Sequence, residues 1–276
     1  MNDITRLDRP ELAVTRVRHP LKARLLQVKR VQHVTPHLVR ITLSGDDLEG
    51  FQSASFDDHI KVFFPVPGAA KPVMPALGPD GPVLVDAAAR PVARDFTPRR
   101  YDAAAGELDI EFALHAGGPA TTWAAQAKVG QYLGIGGPRG SMIIPTGFDW
   151  HLLIGDETAL PAIARRLEEL PASTRVASLI EVADPSARIE FKTNAELYAQ
   201  WCYRRGSTDG ETGLPAALRQ MFRPDGEGYV WAAGESTVIR AVRKILCDEQ
   251  GIDKHRIRAA SYWKRGADAV HEVMDD

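Results

Sequence analysis

The sequence predicts two joined domains, an antiparallel β-barrel over residues 1–148 and a doubly wound α/β domain over residues 149–276. Three observations carry that expectation. In the first half, short apolar runs at strand spacing alternate with turn signals, the pattern of an antiparallel barrel or sandwich. After about Phe148, strand-like and helix-like segments alternate, which calls for a parallel sheet with helices on its faces. The chain is 276 residues long, 44% hydrophobic and 25% charged, so disorder, collagen and coiled coil are excluded.

Each element follows from its local pattern. Residues 23–34 and 37–44 carry apolar side chains at strand spacing and are separated by Thr35-Pro36. Residues 59–66 form a short run rich in Val, Ile and Phe. Residues 65–93 hold seven prolines and three glycines, and proline cannot serve a sheet ladder, so this stretch is expected to be a long surface loop. Residues 107–115 alternate, with Leu108, Ile110, Phe112 and Leu114 on one face and Asp109, Glu111 and His115 on the other. Residues 132–135 form a strand closed by Gly136-Gly137-Pro138. In the second half, strands are expected at 151–155, 175–182, 229–233 and 256–263. Helices are expected at 160–170, 194–203 and 236–250, the last with Val238, Ile239, Val242, Ile245 and Leu246 on one face. Ligands of such a sheet sit at the carboxyl ends of its strands, near the switch point.

Charge and cysteine content narrow the function. The net charge of −2 gives no global attraction to nucleic acid. Residues 1–40 nevertheless carry nine Lys/Arg against three Asp/Glu, and residues 254–265 carry five Lys/Arg and no acid. These are either solvated faces or a local site for an anionic small molecule. No apolar run reaches the roughly 18 residues of a membrane span, and the N-terminus has no apolar signal-peptide core, so a cytoplasmic protein is expected. Cys202 and Cys247 are too few for an iron–sulfur cluster, a four-cysteine zinc site or a disulfide framework.

Three strings can carry chemistry. In Arg94-Asp95-Phe96-Thr97-Pro98-Arg99, an aromatic can cover a planar ring and a Thr hydroxyl can bond a ring nitrogen. The guanidiniums of Arg94 and Arg99 can grip a pyrophosphate or phenolate. Around His115 a strand ends, Gly117-Gly118 turns the chain, and Pro119 opens a helix whose N–H groups at residues 120–122 offer a phosphate seat. Gly136-Gly137-Pro138-Arg139-Gly140-Ser141 presents Arg139 on a turn where the backbone can approach closely. Taken singly, each string reads equally as an ordinary strand or turn.

In this order, however, the strings resemble the siderophore-interacting protein family, flavin-dependent ferric-siderophore reductases of the ferredoxin-reductase type. The resemblance continues through Gly155-Asp156-Glu157-Thr158-Ala159-Leu160-Pro161-Ala162, Trp231-Ala232-Ala233-Gly234-Glu235 and Tyr262-Trp263-Lys264-Arg265-Gly266. It runs from near Ala23 to Gly266 and weakens in the proline-rich loop. It implies an FAD-binding barrel followed by a nicotinamide-nucleotide-binding type of domain. Arg94, Phe96 and Thr97 fall on the flavin-binding string. His115, Gly118, Pro119, Ala120 and Thr122 fall on the phosphate-binding turn. Lys61, Arg139, Lys264 and Arg265 fall where the family places the cations that dock a ferric siderophore. Phe96 replaces the family's usual Tyr, which keeps ring stacking and loses a hydroxyl.

The implied reaction takes electrons from NADPH or NADH, or from ferredoxin, through FAD to the chelated ferric ion, in a protein expected to be a monomer. The sequence has no Gly-x-Gly-x-x-Gly fingerprint. Asp156-Glu157 either caps the following helix or touches the nucleotide. Arg204-Arg205 either binds a 2′-phosphate or is a solvated pair. A non-catalytic siderophore-binding protein is the alternative, and the flavin strings argue against it. A hydrolase would need a Gly-x-Ser-x-Gly elbow, which is absent from the sequence.

Overall fold

Two main sheets build the chain. The structure, a computed structural model, describes residues 9–78, 81–83, 92–115, 117–204, 213–266 and 272–273. The first half forms β1 (Thr15–Arg18), β2 (Ala23–Thr35), β3 (Leu38–Ser44), β4 (Ile60–Phe64), β5 (Ala76–Gly78), β6 (Gly81–Val83), β7 (Val92–Phe96), β8 (Pro98–Asp102), β9 (Glu107–Ala113), α1 (Pro119–Ala125), β10 (Tyr132–Gly136) and β11 (Gly140–Ile143). Seven of these strands make one antiparallel sheet in the order β7-β4-β10-β2-β3-β9-β8. The sheet wraps a cluster that includes Leu26, Val39, Ile41, Val62, Ile110 and Leu133, and Trp123 brings α1 into the same core. The alternation over 107–113 behaves as the sequence predicts on its apolar side: Leu108, Ile110 and Phe112 are all buried. Asp109 and Glu111, read as facing away, are also buried, because Arg100 and Arg40 pair with them.

The second half forms β12 (Trp150–Asp156), α2 (Leu160–Glu169), β13 (Arg175–Val182), β14 (Glu196–Tyr203), α3 (Leu214–Gln220), β15 (Gly228–Glu235), α4 (Ser236–Lys244), β16 (Ile257–Trp263) and β17 (Glu272–Val273). The sheet order is β14-β13-β12-β15-β16-β17, and only β17 runs antiparallel to its neighbour. The chain winds outward from β12 to β14 and then returns to the other side of β12 as β15. The switch point therefore lies between the carboxyl ends of β12 and β15.

Two expectations need correction. Residues 194–203, read as a helix, contain the edge strand β14. Glu, Leu, Ala and Gln favour helix intrinsically, but Leu197, Trp201 and Tyr203 pack on one side of the sheet and Cys202 on the other. That is a period of two, and sheet packing overrides local propensity. The proline-rich stretch 65–93 is not wholly loop: β5 and β6 pair within it, and β7 begins at Val92. Residues 79–80 and 84–91 lie outside the described residues. The helix expected over 236–250 is α4 continued by a π-helical turn, Ile245–Glu249.

Candidate functional site

The site is assembled from strand ends of the barrel and one strand end of the α/β sheet. β4 pairs with β7 so that Lys61 faces Asp95 and Ile60 faces Phe96. On its other edge β4 pairs with β10, where Gly136 faces Lys61. Thr97, just past β7, is buried and shares a hydrogen bond with the hydroxyl of Tyr262, near the end of β16. The Arg94–Thr97 string, Lys61, the Arg139 turn and the start of Tyr262–Gly266 thus converge from both halves of the chain.

The Phe96 ring is fixed to the barrel wall. Its centroid lies 4.5 Å from Phe112 and 6.3 Å from Phe64. Trp123 of α1 packs edge-on against the same Phe64, at 5.8 Å. One aromatic group therefore connects the Phe96 string with the helix that begins at Pro119. Gly117 and Gly118 adopt φ values of 88° and 101°, a region that favours glycine. Added side-chain carbon at Gly117 would meet nothing within 4 Å, and at Gly118 only His115 Cε1 at 3.7 Å. No side chain caps α1. The Thr122 N–H, expected to be free, donates instead to Gly118 O at 3.0 Å, the first intrahelical bond. The seat is therefore smaller than the sequence implies: the Ala120 and Thr121 N–H groups, with the exposed Thr122 hydroxyl beside them. An uncapped donor pair next to an open glycine turn and a part-exposed aromatic fits the pyrophosphate and ring of FAD.

Arg99 is not available to a ligand. It is buried and bonds Glu168 of α2 through two N–H groups at 2.6 and 2.8 Å, so it joins the two domains. Arg94 donates to the Ala93 carbonyl at 2.9 Å. Lys61 is exposed and paired with Asp95 at 2.8 Å. Arg139, Lys264 and Arg265 are exposed, and their side chains make no hydrogen bond or ion pair among the described residues. The turn bearing Arg139 is anchored by Ser141, whose hydroxyl donates to buried Asp58 at 2.7 Å and accepts from the Ala54 N–H at 3.1 Å.

At the switch point, Asp156 is buried and accepts from the Thr158 N–H and hydroxyl, the Glu235 N–H and the Trp263 indole. Burial pushes its carboxyl above the usual range. Asp156 thus ties strand ends together but does not cap α2, whose N-cap residue is Ala159 and which has no side-chain cap hydrogen bond. Glu157 accepts from the Ala183 N–H and from Arg204, and Arg204 also reaches Glu181 at 3.3 Å. Arg204 is exposed but held by two carboxylates, so it is not free for a 2′-phosphate, and Arg205 lies outside the described residues. The sequence assigns no role to Tyr262, Asp58 or Trp263. The partners that tie them across the fold, Thr97, Ser141 and Asp156, are 83 to 165 positions away in the chain, a separation at which local patterns carry no signal.

An antiparallel barrel with an anion seat, joined to a doubly wound parallel sheet, defines the ferredoxin-reductase class of flavin-dependent oxidoreductases. Within that class the chain belongs to the siderophore-interacting protein family: residues 27–142 match its siderophore-interacting FAD-binding domain and residues 148–266 the siderophore-interacting protein domain. It is 37% identical to the NADPH-dependent ferric-chelate reductase of Escherichia coli, over 90% of this chain and 95% of that one. It is 36% identical to the ferric vibriobactin reductase of Vibrio cholerae, over 92% and 96% respectively. The crystal structure of a siderophore utilization protein from T. fusca superposes with a TM-score of 0.86 at 38% identity, covering 94% of this chain and 98% of that one. Among the described residues, no helix is long and apolar enough to cross a membrane, and no group of three His, Cys, Asp or Glu side chains could hold a metal ion.

Proposed function

We propose that this chain is an FAD-dependent reductase that passes electrons from NAD(P)H to the ferric ion of a siderophore chelate and releases ferrous iron. The observation that carries this reading is the set of exposed cations without side-chain partners, Arg139, Lys264 and Arg265, beside the Thr97–Tyr262 contact. Residues 1–148 hold FAD and residues 149–276 receive the nucleotide.

Arg94, Ala120 and Thr122 would hold the pyrophosphate of FAD, with His115, Gly118 and Pro119 shaping the turn, and Phe96 and Thr97 would hold its ring. FAD supplies the conversion of a two-electron donor into single-electron transfer. Lys61, Arg139, Lys264 and Arg265 neutralise and orient the anionic chelate. Lys61 does so by exchanging Asp95 for the ligand. Ferrous ion is held more weakly than ferric ion by hard oxygen ligands, so reduction frees the metal without any protein ligand. The donor is a nicotinamide nucleotide, with ferredoxin as the alternative, and the protein acts as a cytoplasmic monomer.

Two measurements test this. Purified protein should be yellow and release stoichiometric FAD on heating. A colourless protein that takes up no FAD overturns the reductase reading and leaves a siderophore-binding protein. R139A and K264A should each raise KM for an anionic ferric chelate about tenfold, roughly 1.4 kcal/mol, at unchanged flavin content. Loss of flavin with unchanged chelate affinity would show that these cations serve FAD instead.

A further inference from the structure

The carboxyl ends of β12, β15 and β16 meet at one buried carboxylate. Asp156 accepts from the Thr158 N–H at 2.9 Å and its hydroxyl at 2.5 Å, at the start of the segment leading to α2. β15 contributes the Glu235 N–H at 3.0 Å, and β16 contributes the Trp263 indole N–H at 2.8 Å. The carboxylate lies so close to β15 that a Cβ on Gly234 would stand 2.7 Å from Asp156 Oδ2, which requires glycine there. Glu235 adds a second tie. Its Oε2 accepts from the Thr237 and Val238 N–H groups at the start of α4, and its Oε1 accepts from the Arg265 N–H at 3.3 Å.

The β15–β16 ladder slips at this point. Gly234 faces Ser261, but Glu235 faces Trp263, so Tyr262 is an extra residue in β16. A bulge re-aims side chains. Here it lets consecutive residues serve opposite neighbours: Tyr262 reaches Thr97 in the barrel, and Trp263 reaches Asp156. Lys264 and Arg265 follow directly. No side-chain contact among the described residues fixes either head group, so their placement is set by the backbone over 262–265.

We propose that Asp156 and Trp263 are positioning residues for chelate docking: their hydrogen bond, with the Glu235 bond to the Arg265 N–H, locks the bulge and aims Lys264 and Arg265 at the ferric chelate. This rests on the docking role given to those cations above. Asp156 and Trp263 both act through the backbone that carries Lys264 and Arg265. A fixed backbone leaves only side-chain rotamers to be ordered on binding, which lowers the entropy cost of docking.

The test is calorimetric titration of the FAD-loaded protein with gallium(III) citrate, which matches the ferric chelate in charge and cannot be reduced. W263F removes the indole N–H and keeps a ring. It should weaken binding about fivefold at unchanged FAD content, and raise KM for ferric citrate more than it changes kcat. Added to K264A/R265A, it should weaken binding no further, because its effect passes through those two cations. D156N removes one acceptor at the other end of the same bond and should weaken binding similarly, which covers a failure of W263F to fold. If K264A/R265A weakens binding and W263F and D156N do not, the positioning role is overturned and docking stands. Additive losses in the triple variant also overturn it. If neither the cations nor Trp263 matter, the docking reading itself falls.

Discussion

His151 shows how one buried side chain can set the pH dependence of stability. It is 1% exposed, lies edge-on to Phe148, and its Nε2 has no hydrogen-bond partner among the described residues. Burial, reinforced by the nearby Arg166 cation, pushes its pKa down to about 3. The unfolded chain takes up this proton near pH 6.5, and the native state refuses it until about pH 3. Stability contributed by the neutral ring is therefore full above pH 6.5 and is lost as the pH falls toward 3. At pH 5 the loss is about 2 kcal/mol. Urea titrations at pH 7.5 and pH 5 should show that loss in the wild-type protein and a correspondingly smaller one in H151F. Equal acid sensitivity in both would refute the assignment. Phe96 teaches a different lesson at the same scale. The sequence offers its ring only as a candidate to cover a planar ligand, and its anchoring by Phe64 and Phe112 depends on strands that only the folded sheet brings together.

Elements were legible wherever a single face decided them. Leu108, Ile110 and Phe112 specify β9, and α4 declares itself through Ile239 and Val242, both fully buried. At β14 the sequence misleads, because helix-favouring residues occupy an edge strand whose two faces are both partly covered, which weakens the alternation. The contact that seats α2 on the barrel was not legible at all. Arg99 and Glu168 stand 69 residues apart, and Arg99 Nε also lies 3.7 Å from buried Glu111. The Arg-Pro string around Arg99 reads naturally as a ligand grip, whereas its burial shows a structural cation. R99A should cost about 2 kcal/mol, between the values for exposed and buried pairs, because Glu168 can reach water and Glu111 keeps Arg40. Chemical denaturation checks the loss, and bound FAD should remain stoichiometric. Loss of flavin without loss of stability would return Arg99 to the cofactor.

At the scale of the whole molecule, the proposed site works only if the barrel and the α/β domain keep their relation, since its cations come from both. Residues 56–57 of the barrel act as a peg in the second domain. The Phe56 ring lies 5.5 Å from Trp231 and beneath the Arg166 guanidinium at 4.9 Å. The Asp57 carboxylate, nearly buried, accepts from the Trp231 indole at 2.7 Å and from Arg258 at 3.0 Å. Trp231 and Arg258 come from β15, which flanks the switch point, and from β16, which leads to Lys264. D57A leaves the part-buried Arg258 and the buried Trp231 N–H without this acceptor. That should cost about 3 kcal/mol, or roughly 6–12 °C in Tm for a chain of this size. Because the peg is shared, the effect should reach beyond stability: KM for an anionic ferric chelate should rise while FAD stays bound to the barrel. Calorimetry and steady-state kinetics on the same preparation decide the matter. A fall in Tm with an unchanged KM would mean that Asp57 supports folding alone. An unchanged Tm would mean that the apolar part of the peg, Phe56 against Trp231, is sufficient to hold the domains together.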